Sequence, residues 1–90
     1  MTHAECQQAH TLKRAKKRHP KITITKNGYA DLNRQIETGQ ARFIKKLPSG
    51  RYLYITKHKT VPIPSVYDND TGSIATIITW GHYRRVKRQN

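Results

Sequence analysis

The chain has 90 residues, 18 of them Lys or Arg against 5 Asp or Glu, and 34% are hydrophobic, so it holds one small core and no second domain. Its formal net charge of +13 opposes compaction through self-repulsion, which points to a polyanionic partner, nucleic acid foremost. No apolar run nears the roughly 20 residues of a membrane span, Met1 to His10 is too polar for a secretory leader, and a lone Cys6 fits a reducing compartment, so a cytoplasmic protein with no membrane partner is expected.

From Ala4 to Arg18 neither Gly nor Pro occurs, Ala, Leu, Lys, Arg and Gln dominate, and Ala9, Leu12 and Ala15 recur at helical spacing. A first helix is predicted there. His19-Pro20 closes it, because the residue before proline is pushed out of the α region. Ile22 to Thr25 alternates and reads as a short strand or an extended link. A second helix is predicted over about Tyr29 to Thr38, with Asn27 as its N-cap and Tyr29, Leu32 and Ile36 on one face. Asp31 falls in its first turn and Gly39 is its stop.

Beyond Gly39 the composition shifts to Tyr, Ile, Val, Thr and Phe in short runs bounded by turn residues. Four strands are predicted: Arg42 to Leu47, Arg51 to Lys57, Val61 to Tyr67 and Ser73 to Trp80. Connections of three to five residues make hairpins, and hence an antiparallel meander. Pro62 and Pro64 lie two apart in the third run, so both missing N–H groups fall on one flank, which a strand tolerates best at an edge or bulge. Two helices followed by four strands make a single α+β domain over residues 1–83, with residues 84–90 read as a basic tail.

Cations concentrate at both ends. Lys13, Arg14, Lys16, Lys17, Arg18 and Lys21 give +6 within nine residues, and Arg84, Arg85, Lys87 and Arg88 give +4 within five. Such runs are either solvated faces or phosphate contacts, and Lys13, Lys17, Arg18, Arg51, Arg84 and Arg85 are the candidate nucleic-acid-binding cations. On the first helix His10, Arg14 and Arg18 follow at i, i+4 and i+8 and so share a face. One reading is a proton-transfer imidazole beside a guanidinium that clamps phosphate; the other is a basic helix with an incidental His.

Metal-free RNA cleavage needs a base for the 2′-OH, an acid for the leaving 5′-oxygen and a cation for the phosphorane. His10, His58 and His82 are available for the proton steps, and Arg14, Arg18, Arg51 and Arg84 for the charge. Thr76 is either a buried β-former or a phosphate-facing hydroxyl. Trp80 and Tyr83, like Tyr52 and Tyr54, are either base-stacking rings or lids on the core. The His, Cys and carboxylate residues lack metal-ligand spacing, no glycine-rich phosphate loop occurs, and Asp68 and Asp70 read as turn formers, so no metal or cofactor is expected.

The succession of His10-Thr11-Leu12-Lys13-Arg14-Ala15-Lys16-Lys17-Arg18, then Ile36-Glu37-Thr38-Gly39-Gln40-Ala41-Arg42-Phe43-Ile44, then Val66-Tyr67-Asp68 and Thr71-Gly72-Ser73-Ile74-Ala75-Thr76 resembles the small DUF4258-like phage and toxin proteins. Those are grouped with the barnase, colicin D and RelE-like ribonucleases, the BECR fold. The resemblance covers about Ala9 to Ile78. It implies a pair of N-terminal helices packed on a twisted four-stranded antiparallel sheet. It also implies metal-independent endoribonuclease activity, with His10 and Arg14 matching the helical His and Arg and Thr76 a final-strand hydroxyl. An acidic antitoxin or immunity protein is the implied protein partner. The His82 to Asn90 extension is longer and more basic than the pattern. The expected function is RNA binding with cleavage by 2′-OH attack. A non-catalytic nucleic-acid-binding module and a phage inhibitor that docks on an acidic host protein are the alternatives.

Overall fold

The stretch without Gly or Pro that precedes His19-Pro20 folds as one helix, α1 (His3–Arg18). It belongs to a computed structural model that describes residues 3–89, with side chains from Cys6 onward. Ile22 to Thr25 is an extended link, not a strand, and its Ile22 and Ile24 pack against the core. The second helix, α2 (Lys26–Glu37), starts earlier than the Asn27 cap implied. Thr25 is the N-cap, its hydroxyl accepting from the Gly28 N–H at 3.2 Å, so Asn27 lies inside the helix. Asp31 therefore sits past the first turn, where it accepts from Gln35 and pairs with Arg34 at 3.7 Å. Gly39 ends the helix at φ 79°.

Four strands follow as an antiparallel meander in the order β1 (Arg42–Leu47), β2 (Arg51–His58), β3 (Val61–Asp68) and β4 (Ser73–Ile77). The β2–β3 hairpin closes on Lys59 and Thr60, both at positive φ (49° and 69°), which matches the right-handed twist of the strands. β1 bulges between Phe43 and Lys45. β4 carries the second irregularity: Val66 pairs with Thr76 and Tyr67 with Ile74, leaving Ala75 as the extra residue. The bulge breaks the two-residue alternation, so Ile74 and Ile77 both face α1 and α2 while Ile78 faces the other way.

The last strand is shorter than its β-forming residues predict. Ile78 makes one final rung, its N–H donating to Pro64 C=O at 3.1 Å. N–H and C=O of one strand residue point to the same flank, so Pro64 and Pro62 would both have to supply the donors for any further rung, and neither has one. β3 is thus an interior strand whose proline half lies beyond the end of β4. At Thr79 the chain instead caps a third helix, α3 (Trp80–Arg88), the Thr79 hydroxyl accepting from His82 N–H at 3.1 Å. Trp80, Tyr83, Arg84 and Arg85 are therefore helical rather than part of a strand and a tail.

The fold is α+β with helices on both faces of the sheet. Ala15, Tyr29, Leu32 and Ile36 from α1 and α2 pack on Ile63, Ile74 and Ile77. On the opposite face Tyr83, with Trp80 and Val86, covers Leu53, Val66 and Ile78. No helix among the described residues is long and apolar enough to cross a membrane.

Candidate active site

β4 is an edge strand, and its bulge leaves backbone carbonyls that must find donors away from the ladder. α1 supplies most of them. The buried Thr11 hydroxyl lies 2.9 Å from Ala75 C=O, 3.1 Å from Ile74 C=O and 2.8 Å from Gln7 C=O. Tyr29 donates to Ile74 C=O at 2.7 Å, and Asn33 Oδ1 accepts from Ile74 N–H at 2.8 Å. Gln7 Nε2 reaches the hydroxyls of Thr71 and Ser73 at 2.8 and 2.7 Å. At the other end of the helix Arg18 Nη1 donates to Ile77 C=O at 2.8 Å, and His19 Nε2 to Ile78 C=O at 2.9 Å. α1 is thereby tied along the whole of β4, and the flank of the helix that carries His10 is held beside the bulge.

An open cleft of about 340 Å³ forms there, lined by Cys6, Gln7, His10, Arg14, Arg51, Ala75 and Thr76. His10 and Arg14 are one helical turn apart on α1, Thr76 follows the bulged Ala75 on β4, and Arg51 reaches in from the start of β2. Arg14 and Arg51 are solvent-exposed, and among the described residues the lining includes two guanidinium groups and no carboxylate. Thr76 Oγ1 accepts from Arg18 Nη1 at 3.2 Å, which leaves the Thr76 O–H free to donate into the cleft. Arg18 thus holds Thr76 and the strand end through Nη1, and it is not among the residues lining the cleft.

The sequence candidates divide accordingly. His10, Arg14, Thr76 and Arg51 share the cleft, and Lys13 borders it on a shallower hollow with Cys6, Ala9 and His10. Lys17 is exposed on α1, and Arg84 and Arg85 are exposed on α3, outside the cleft lining. Tyr83 is 8% exposed and closes the second core. Trp80 is half-buried and stands edge-on to it at 5.2 Å, packing against the same core. His82 is exposed on α3, and His58 lies against Gly28 at the far end of β2. Among the described residues no three His, Cys, Asp or Glu side chains gather as metal ligands.

Gln7 and Thr11, which sequence reasoning passed over, do the positioning. Their one signal was a hydroxyl and an amide within the Ala and Leu stripe of a helix expected to lie on a sheet. No family model, curated protein or solved structure matches the chain.

Proposed function

We propose that the chain is a basic, cytoplasmic RNA-binding protein that cleaves RNA at the β4 cleft by attack of a 2′-OH on the adjacent phosphate. The observation that carries this reading is the convergence of His10, Arg14, Arg51 and Thr76 on one open cleft that holds cations and, among the described residues, no carboxylate. The phosphate lies between Arg14 and Arg51, whose guanidinium forks suit its oxygens and the charge gathering on the phosphorane. Thr76 donates to a non-bridging oxygen. His10 takes the 2′-OH proton, the 2′-oxygen bonds to phosphorus, and the P–O5′ bond breaks. The leaving 5′-oxygen takes its proton from water, which the open cleft admits. The products are a 2′,3′-cyclic phosphate and a 5′-hydroxyl. Exposed Lys13, Lys17, Arg84 and Arg85 hold the flanking strand by counterion release.

The resemblance to barnase-like and RelE-like ribonucleases supports the same reading, and it adds an acidic antitoxin or immunity protein as a partner for the cationic cleft. A binding module without catalysis is the second reading, favoured by one feature: among the described residues the cleft lining holds one imidazole where both an acid and a base are wanted. Incubation of the purified protein with total RNA in EDTA separates the two. Fragments ending in cyclic phosphate, lost on His10→Ala, support cleavage; intact RNA at high protein concentration, with binding retained, supports the module.

A further inference from the structure

Away from the cleft, the face of the sheet that bears α1 and α2 is only partly covered. Phe43, on the outermost strand β1, is 53% exposed although it stands on a sheet surface. It pairs directly with Tyr54 across the β1–β2 ladder, their rings edge-on at 5.5 Å, and its ring lies 6.2 Å from that of Tyr52. Tyr54 in turn meets Tyr67 edge-on at 6.2 Å. Tyr52, Tyr54 and Tyr67 are all half-buried, and Tyr54 and Tyr67 rest on the core while leaving ring surface to solvent.

The bulge in β1 is what arranges this row. With Ile44 as the extra residue, Ile44 packs towards α3 and Lys45 reaches Val86 C=O on that side, whereas Phe43 and Lys46 both return to the opposite face. Lys46 stands directly opposite Tyr52 in the register and is exposed. Directly opposed residues of an antiparallel pair share a face, so the ammonium lies at one end of the aromatic row. Glu37, the carboxylate felt at Tyr67, lies at the other side.

From this arrangement we infer that the β1–β2 face is a second nucleic-acid site, on which Phe43 and Tyr52 stack unpaired bases while Lys46 contacts the phosphate backbone. It rests on the RNA-binding reading above and extends it with a preference: single strands over duplex. Aromatic faces bind any unpaired base, and a duplex hides its bases from them. The chain's +13 charge favours this occupant over an acidic-poor protein surface. The site is distinct from the cleft, since none of its residues lines the latter.

The test is fluorescence anisotropy with a labelled 2′-O-methyl oligouridylate, which lacks the attacking hydroxyl and so reports binding alone, beside a labelled RNA duplex of similar length. Phe43→Leu keeps an apolar side chain at an exposed position, and circular dichroism checks that the fold is kept. Loss of one stacked base weakens single-strand binding by about 5- to 150-fold, with duplex binding unchanged. Lys46→Gln lowers the slope of log K against log salt by about one. Unchanged single-strand affinity in Phe43→Leu, or an equal loss for duplex, overturns the second site and leaves the cleft reading standing. Failure of the wild-type protein to bind either probe at low salt overturns both.

Discussion

Replacing Thr11 by Val removes one hydroxyl from the seam between α1 and β4 and little else, because the two side chains have nearly the same shape. The single proton of that hydroxyl is shared among the Gln7, Ala75 and Ile74 carbonyls, at 2.8, 2.9 and 3.1 Å. Ile74 C=O keeps its bond from Tyr29 at 2.7 Å, so the exposed loss falls on Ala75, at the wall of the cleft. A buried carbonyl stripped of its donor costs about 1–3 kcal/mol. Ala75 borders solvent and water can replace part of the bond, which sets the expectation at the lower end, about 1–2 kcal/mol. For a domain of this size that lowers Tm by roughly 5–15 °C.

The shared acceptor makes a sharper test possible. Tyr29→Phe alone also removes one donor from Ile74 C=O, whereas the double variant leaves it only the long bond from Gln7 Nε2 at 3.4 Å, so the two losses are non-additive by more than about 0.5 kcal/mol. Chemical denaturation of the four proteins measures this directly. A Thr11→Val protein that melts with wild type, or strictly additive losses, would refute the claim that these bonds tie the helix to the strand. RNA cleavage should fall with Thr11→Val as well, since His10 and Thr76 are held together only through that seam.

Other outcomes follow from single features. Thr60 is β-branched at φ 69°, so Thr60→Gly should relieve about 1 kcal/mol of strain and raise Tm by several degrees; an unchanged or lower melting point counts against a left-handed turn there. Burial, with Glu37 and neighbouring tyrosines adding to it, pushes the Tyr67 phenol above its ordinary 10.0. The folded chain therefore favours the neutral phenol, and this stabilisation is complete below pH 10 and lost as pH rises through the folded-state value. Tyr67→Phe should flatten that alkaline decline in denaturation midpoints, and equal slopes in both proteins would contradict it. Arg84→Gln with Arg85→Gln should weaken RNA binding for all sequences alike and reduce its salt slope by about two, while a change in sequence preference would place these residues at the bases.

Much of the fold was legible because helices and hairpins are written in local terms. The Gly- and Pro-free run, the turn residues and the Tyr, Ile and Val runs placed α1, α2 and the meander, and the i, i+4 spacing put His10 and Arg14 on one flank. What was not legible depends on partners distant in the chain. Ile77-Ile78-Thr79-Trp80 reads as strand, yet the ladder stops there because Pro64 and Pro62, on another strand, offer no N–H. Two-residue alternation would separate Ile74 from Ile77, and the Ala75 bulge brings both to the α1 and α2 side. Arg18 matched a phosphate clamp by spacing, and nothing local in the sequence showed that its Nη1 would donate to Ile77 C=O. Trp80 and Tyr83 read equally as base-stacking rings or lids, and only the helix that replaces the strand end brings them over the second core.

A DNA oligonucleotide containing one internal ribonucleotide offers the attacking 2′-OH at a single place. In EDTA the wild-type protein should cut it only on the 3′ side of that ribonucleotide and leave a cyclic phosphate, with His10→Ala slower by about 10²- to 10⁴-fold under single-turnover conditions. Cutting at deoxynucleotides, equal rates for the two proteins, or an intact strand with the wild type would contradict a cleft built around His10, Arg14, Arg51 and Thr76 for that reaction.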